Sequence, residues 1–122
     1  MAKILITDDS LFARKVLARI LQKAGHMIVG EAKNGIESIE KYKQLRPDLV
    51  TMDITMPEMD GMSALKEIKK TDPDAIVIMC TAMGQSFLIS EAILEGAQDF
   101  IIKPYSEQAI LKAIENSISK QT

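Results

Sequence analysis

The sequence has one cysteine and no long apolar run, and each of these shortages excludes a class of protein. Cys80 has no second cysteine with which to form an internal disulfide, which favours a reducing compartment and predicts a cytoplasmic protein. No apolar stretch approaches the ~18 residues of a membrane-spanning helix, so no membrane association is expected. The apolar run Ile4–Ile6 is followed closely by the acidic residue Asp8. The run is therefore too short for the hydrophobic core of a secretory signal peptide.

Positive charge is not in excess either. The chain has 15 Lys and Arg against 17 Asp and Glu, for a net charge of −2. Broad binding to nucleic acid usually needs a clustered basic face, so we expect no nucleic-acid partner. What the chain does have is 122 residues with a hydrophobic fraction of 47%, which suits the core of one domain. We therefore expect a single domain over residues 1–122 with no effector domain attached.

Short apolar runs alternate with helical periodicity five times along the chain. The runs predict strands at residues 4–6, 27–29, 49–52, 75–80 and 100–102. Helices are predicted at 12–24, 36–45, 63–70, 86–94 and from Ser106 onward, with Asn34-Gly35 interpreted as a turn. This alternation predicts an α/β fold in which five helices cover both faces of a five-stranded parallel sheet. With right-handed crossovers, we expect the doubly wound, flavodoxin-like strand order 2-1-3-4-5.

Polar residues follow the strands at the sheet edge where doubly wound folds bind ligands. The first strand is followed by Asp8-Asp9, the third by Asp53, the fourth by Thr81 and the fifth by Lys103. Taken singly, each has an ordinary explanation, such as a cap of the first helix for Asp9 and Ser10, or a surface position for Lys103. Together, three converging carboxylates would repel one another. Each pair would cost on the order of 3 kcal/mol at a separation of about 5 Å and an effective dielectric constant of about 20.

A hard cation would remove this repulsion, and oxygen ligands without His or Cys favour Mg²⁺. A carboxylate beside Mg²⁺, a lysine and a threonine hydroxyl fits phosphoryl transfer, in which charge on three equatorial oxygens must be stabilised. The hypothesis is that Asp53 is the nucleophile and forms an aspartyl phosphate. Mg²⁺ would contact one phosphoryl oxygen and Lys103 a second. Thr81 and a backbone N–H would together contact the third.

Over essentially its whole length the sequence resembles the receiver domains of two-component response regulators. The resemblance rests on four motifs in order: Asp8-Asp9, the segment 53–61 (Asp-Ile-Thr-Met-Pro-Glu-Met-Asp-Gly), Thr81-Ala82 and Lys103-Pro104. It implies a single receiver domain over residues 1–122. It also implies a cis Lys103–Pro104 bond, because that turn aims the lysine amine into the acidic pocket.

The resemblance assigns roles to particular residues. It implies that Asp8, Asp9, Asp53 and the backbone carbonyl of Thr55 bind Mg²⁺. It implies that Asp53 is the phosphoacceptor, Lys103 the phosphoryl partner and Thr81 the switch hydroxyl. Phe100 matches the switch aromatic of the family, although from the residues alone it could equally be a core residue.

Segments 53–61 and 82–85 are most similar to the single-domain chemotaxis regulators of the CheY type in Gram-positive and thermophilic bacteria. That similarity implies a monomeric signalling switch and not an enzyme. Its partners would be a CheA-type histidine kinase and a flagellar motor switch protein or another protein effector, with a phosphatase as a further partner. Ile54, Thr55 and Met83 replace the Trp, Asn and Glu of many enteric members, which leaves the phosphatase open.

Other functions are kept as alternatives. A phosphorelay intermediate would pass the phosphoryl group to a histidine phosphotransfer protein. An aspartate-nucleophile phosphatase would need an acid two residues after Asp53, where Thr55 stands, and a flavodoxin would need a phosphate-binding loop where Asp8-Asp9 would repel the phosphate. A receiver from a DNA-binding regulator would require that the sequence be a fragment.

Overall fold

Five parallel strands alternate with five helices in the computed structural model, which describes residues 1–119. The strands are β1 (Lys3–Thr7), β2 (Met27–Ala32), β3 (Leu49–Asp53), β4 (Val77–Thr81) and β5 (Asp99–Ile102). The helices are α1 (Leu11–Lys23), α2 (Gly35–Leu45), α3 (Gly61–Thr71), α4 (Ser86–Leu94) and α5 (Glu107–Ser119). The sheet order is β2-β1-β3-β4-β5, which confirms the predicted doubly wound fold. The predicted domain boundary at residue 122 lies outside the described residues.

The sheet separates two apolar clusters because successive strand side chains point to opposite faces. Leu5, Val50 and Met79 pack with α2, α3 and α4 on one face. Ile4 and Ile78 pack with α1 and α5 on the other. Cys80 is buried in β4. Within residues 1–119, no helix combines the length and apolar character that a bilayer span requires.

Side-chain caps set the first residue of three helices. Ser10, Asn34 and Asp60 each accept a hydrogen bond from the backbone N–H three residues further on, and α1, α2 and α3 begin next to them. The interpretation of Asn34-Gly35 as a turn is therefore wrong, since Asn34 caps α2 and Gly35 is its first residue. The Asp60 cap likewise starts α3 two residues earlier than predicted.

Candidate functional site

The strand order brings the predicted site residues to one edge of the sheet. Thr7 pairs with Met52, so Asp8 and Asp53 emerge side by side from β1 and β3. Asp53 in turn pairs with Cys80 on β4, and the next residue of that strand is Thr81. Because all strands are parallel, these C-terminal ends form a common rim, as the sequence predicted.

Asp8, Asp9 and Asp53 form an acidic cluster at this rim. Each offers a carboxylate oxygen, and the three oxygens lie within 4.8 Å of one another. Asp8 and Asp53 are buried whereas Asp9 is exposed. An all-oxygen set that is open to solvent on one side fits Mg²⁺, which retains water ligands and needs few protein ligands.

Lys103 joins the two buried carboxylates. Its Nζ donates to Asp8 Oδ2 at 2.7 Å and lies 3.5 Å from Asp53 Oδ2. Burial alone would lower the pKa of Lys103, but the hydrogen bond to Asp8 and the charges of Asp53 and Asp8 raise it above its ordinary value. Lys103 therefore stays protonated at neutral pH. Its bond to Pro104 is cis, as predicted.

Asp53 is a carboxylate held in an unfavourable setting. Burial raises the pKa of Asp53 to about 6, the charge of Asp8 acts in the same direction, and Lys103 opposes both. The ionised form, which a nucleophile requires, is thus destabilised at this position. Additional positive charge at the rim would favour that form.

Thr81 is fully buried, and its Oγ1 has no hydrogen-bond partner within residues 1–119. Leaving a buried hydroxyl unpaired costs about 1–3 kcal/mol. An unpaired hydroxyl at the rim is suited to a ligand that arrives there. The role of Thr81 as a switch hydroxyl stays a prediction.

Phe100 and Thr55 both lie at the surface. Phe100 is 37% exposed on β5, so the alternative interpretation of Phe100 as a core residue is wrong. Thr55 lies two residues beyond Asp53 in the β3–α3 loop, and its hydroxyl accepts a hydrogen bond from Gln85. The use of its backbone carbonyl as a metal ligand stays a prediction.

Gly61 positions the rim, a role that its place in segment 53–61 did not reveal. Its N–H donates to the Ile54 carbonyl at 2.7 Å. A Cβ on Gly61 would lie 2.0 Å from the carbonyl oxygen of Asp53. Only glycine lets the start of α3 approach the end of β3 so closely.

Arg14 is a second positioning residue that the sequence interpretation missed. Its Nη1 donates to the backbone carbonyl of Asp8 at 2.7 Å, and its Nε donates to Glu31 at 2.8 Å. Arg14 therefore ties the β1–α1 loop to β2. The sequence carried no signal for this contact, because Glu31 lies 17 residues away.

Comparisons with known proteins agree with this arrangement. Residues 4–115 match the family of the response regulator receiver domain. The chain is 53% identical over 118 residues to the chemotaxis protein CheY of Thermotoga maritima, covering 97% of this chain and 98% of that protein. It is also 53% identical over 117 residues to CheY of Bacillus subtilis, covering 96% and 98%. The crystal structure of the CheX–CheY–BeF₃–Mg²⁺ complex from Borrelia burgdorferi contains a chain that is 39% identical, with a TM-score of 0.90 over 93% of this chain and 87% of that one.

Proposed function

This chain belongs to the response regulator receiver family, and we propose that it is a phosphorylation switch whose phosphoacceptor is Asp53. The observation that carries the proposal is the meeting of three carboxylates, Lys103 and the unpaired hydroxyl of Thr81 at one rim. We propose further that residues 1–122 form a single receiver domain, which acts in the cytoplasm as a signalling switch and not as an enzyme.

Asp8, Asp9, Asp53 and the backbone carbonyl of Thr55 would hold Mg²⁺. When bound, the ion supplies positive charge that offsets the repulsion among the carboxylates and the charge of a phosphoryl oxygen. Support comes from the 4.8 Å cluster of carboxylate oxygens and from the raised pKa of Asp53, whose largest cause is burial.

The residues of the chain divide the transfer among them. A carboxylate oxygen of Asp53 attacks phosphorus, the bond from phosphorus to the donor nitrogen of phosphohistidine breaks, and the electron pair leaves with the imidazole. The ammonium of Lys103, 3.5 Å from Asp53, offsets charge on one phosphoryl oxygen. Thr81 turns its hydroxyl toward another oxygen and gains a charge-assisted hydrogen bond.

The similarity to CheY proteins suggests the partners. We propose a CheA-type histidine kinase as donor and a flagellar motor switch protein as target. A CheX-like protein is a further candidate, since a similar chain was crystallised in a CheX–CheY complex.

The signal would reach the target through α4, β5 and α5. Movement of the Thr81 hydroxyl vacates space beside β4, and Phe100 on the neighbouring strand can turn inward to fill it. The loss of this exposed ring would change the surface that a partner contacts. A few kcal/mol of differential contact suffices for such a two-state change.

Labelling with a small phosphodonor tests the proposal. Acetyl phosphate should label the protein on Asp53 in an Mg²⁺-dependent and alkali-labile way, and Asp53→Asn should abolish the label. Asp74→Asn, which changes an exposed carboxylate outside the cluster, is the matched control and should label normally. Stoichiometric labelling of Asp53→Asn would refute the assignment of the phosphoacceptor.

A further inference from the structure

Gln85 connects two loops at the rim through both ends of its side-chain amide. Its Oε1 accepts a hydrogen bond from the backbone N–H of Ala82 at 2.8 Å. Its Nε2 donates to Thr55 Oγ1 at 3.1 Å, across 30 residues of sequence. The β4–α4 loop, which precedes helix α4, is thereby tied to the β3–α3 loop, which follows Asp53.

The chemistry of the two partners fixes the orientation of this amide. A backbone N–H can only donate, so the amide oxygen of Gln85 must face Ala82, and the amide nitrogen then faces a hydroxyl oxygen that can accept. A local helix cap would explain the bond to Ala82 but not the bond to Thr55. Within residues 1–119, moreover, Gln85 makes no side-chain cap bond to α4.

The N–H of Ala82 is the backbone donor that directly follows Thr81. In the proposed transfer, the Thr81 hydroxyl and a backbone N–H contact the same phosphoryl oxygen. We take the Ala82 N–H to be this backbone donor, because it directly follows Thr81 at the rim. The Gln85 oxygen and the phosphoryl oxygen are both acceptors, so they would then compete for its single proton. The charged acceptor forms a hydrogen bond that is roughly twice as strong, so it displaces the amide.

We propose that Gln85 is a positioning residue that occupies the Ala82 N–H and ties its loop to Thr55, so that phosphorylation of Asp53 and release of Gln85 are linked. The inference rests on the proposed role of Asp53. Because Gln85 immediately precedes Ser86, its release also frees the first turn of α4 from the β3–α3 loop. The phosphoryl group is thus coupled to α4 by a contact that Thr81 and Phe100 do not make.

The linkage predicts that the protein binds a phosphate mimic more tightly when the two hydrogen bonds of Gln85 are removed. Gln85→Met keeps the length of the side chain but loses both hydrogen bonds. Both bonds are solvent-exposed, so each is taken at the low end of the usual range, about 0.5 kcal/mol. The loss of the two together corresponds to an increase of about fivefold in affinity for beryllofluoride with Mg²⁺. Affinity for Mg²⁺ alone should not change. A residue that only supported the loop would instead lower the affinity for beryllofluoride or leave it unchanged.

Thr55→Val separates the two halves of the contact. It removes the hydroxyl and keeps the backbone carbonyl, so it should give a smaller gain than Gln85→Met. The double variant should gain no more than Gln85→Met alone, because the bond that Thr55→Val removes is already absent. Ser90→Ala, at an exposed position on the same helix, is the control and should match the wild type.

The outcomes separate this inference from the function on which it rests. If wild type labels on Asp53 but Gln85→Met binds beryllofluoride no better, or if the gains of Gln85→Met and Thr55→Val add, the linkage is wrong and the proposed function stands. Should Gln85→Met not fold, equal affinity of Thr55→Val and wild type would overturn the linkage. Failure of wild type to label on Asp53 would remove both.

Discussion

Helices α3 and α4 lie on the same face of the sheet but are held very differently. Helix α3 begins at the Asp60 cap and buries five residues, Gly61, Met62, Ala64, Leu65 and Ile68. Of the residues that the structure describes in α4, Ala92 alone is buried. Phe87 and Leu94 of α4 are 72% and 87% exposed. The two neighbours therefore have very unequal shares of the core.

This difference divides the rim into a fixed half and an adjustable half. The fixed half holds the carboxylates, because Gly61 joins α3 to β3 and Lys103 joins Asp8 to Asp53. The adjustable half holds the unpaired hydroxyl of Thr81 and the loop that Gln85 ties down. Elements with few buried contacts open at low free-energy cost, so α4 is the helix that can move when the site is phosphorylated.

Replacing one glycine at the start of each helix tests the difference between α3 and α4. Gly61 is the first residue of α3, and Gly84 lies two residues before α4. Gly61→Ala would place a Cβ 2.0 Å from a backbone oxygen of Asp53, so we expect the free energy of unfolding to fall by about 3 kcal/mol. The added Cβ of Gly84→Ala would meet no atom of residues 1–119 within 4 Å. This variant therefore suffers only from the φ of +92°, which costs about 1 kcal/mol. Urea denaturation of both variants measures the difference. Equal losses would show that α3 is no more firmly attached than the β4–α4 loop.

The buried carboxylate of Asp53, in the fixed half, should make the stability of the fold depend on pH. Because burial raises the pKa of Asp53 to about 6 from 3.8, the folded state binds this proton more tightly than the unfolded chain does. The free energy of unfolding should therefore fall as pH rises from about 4 to about 6, by on the order of 2 kcal/mol. Asp53→Asn should lack this decrease and be the more stable protein at pH 7.5 without divalent cations.

Denaturation at pH 4 and pH 7.5 in the presence of a chelator measures this effect. Mg²⁺ at pH 7.5 should raise the stability of the wild type more than that of Asp53→Asn. Asp74→Asn, at an exposed carboxylate, should keep the wild-type pH dependence. If Asp53→Asn were no more stable than wild type at pH 7.5, the fixed half would carry no unfavourable charge.

The fold and the meeting of the carboxylates with Lys103 at one rim were predictable, because both follow from periodicity and strand order. The roles of Thr55 and Phe100 came from the family resemblance and stay predictions. Strand ends in a parallel sheet meet at one edge, so Asp8, Asp53 and Lys103 could be placed together before any distance was known. The sequence could not show whether Asn34-Gly35 forms a turn or starts a helix. The Asn side chain makes similar hydrogen bonds to the backbone in turns and at helix caps.

Contacts between segments that are distant in the chain could not be predicted from the sequence either. The approach of Gly61 to Asp53 and the bond from Gln85 to Thr55 depend on how two loops face each other. The exposure of α4 is a similar case. Its residues are largely apolar around the helix, so periodicity could not tell that Phe87 and Leu94 face outward.

A small effect on stability is also expected in the adjustable half, at Thr81. Its buried hydroxyl lacks a partner within residues 1–119, so Thr81→Val should raise the free energy of unfolding by about 1 kcal/mol. The hydroxyl of Thr51 on β3 is equally buried and likewise has no partner in the described part of the chain. Thr51→Val should therefore stabilise the fold by a similar amount. The two variants should differ in binding. Thr81→Val loses a charge-assisted hydrogen bond to beryllofluoride and should bind it about tenfold more weakly, whereas Thr51→Val should bind it as wild type does. Equal affinities would mean that the Thr81 hydroxyl is unpaired for the same reason as that of Thr51, and the adjustable half would then lack its switch.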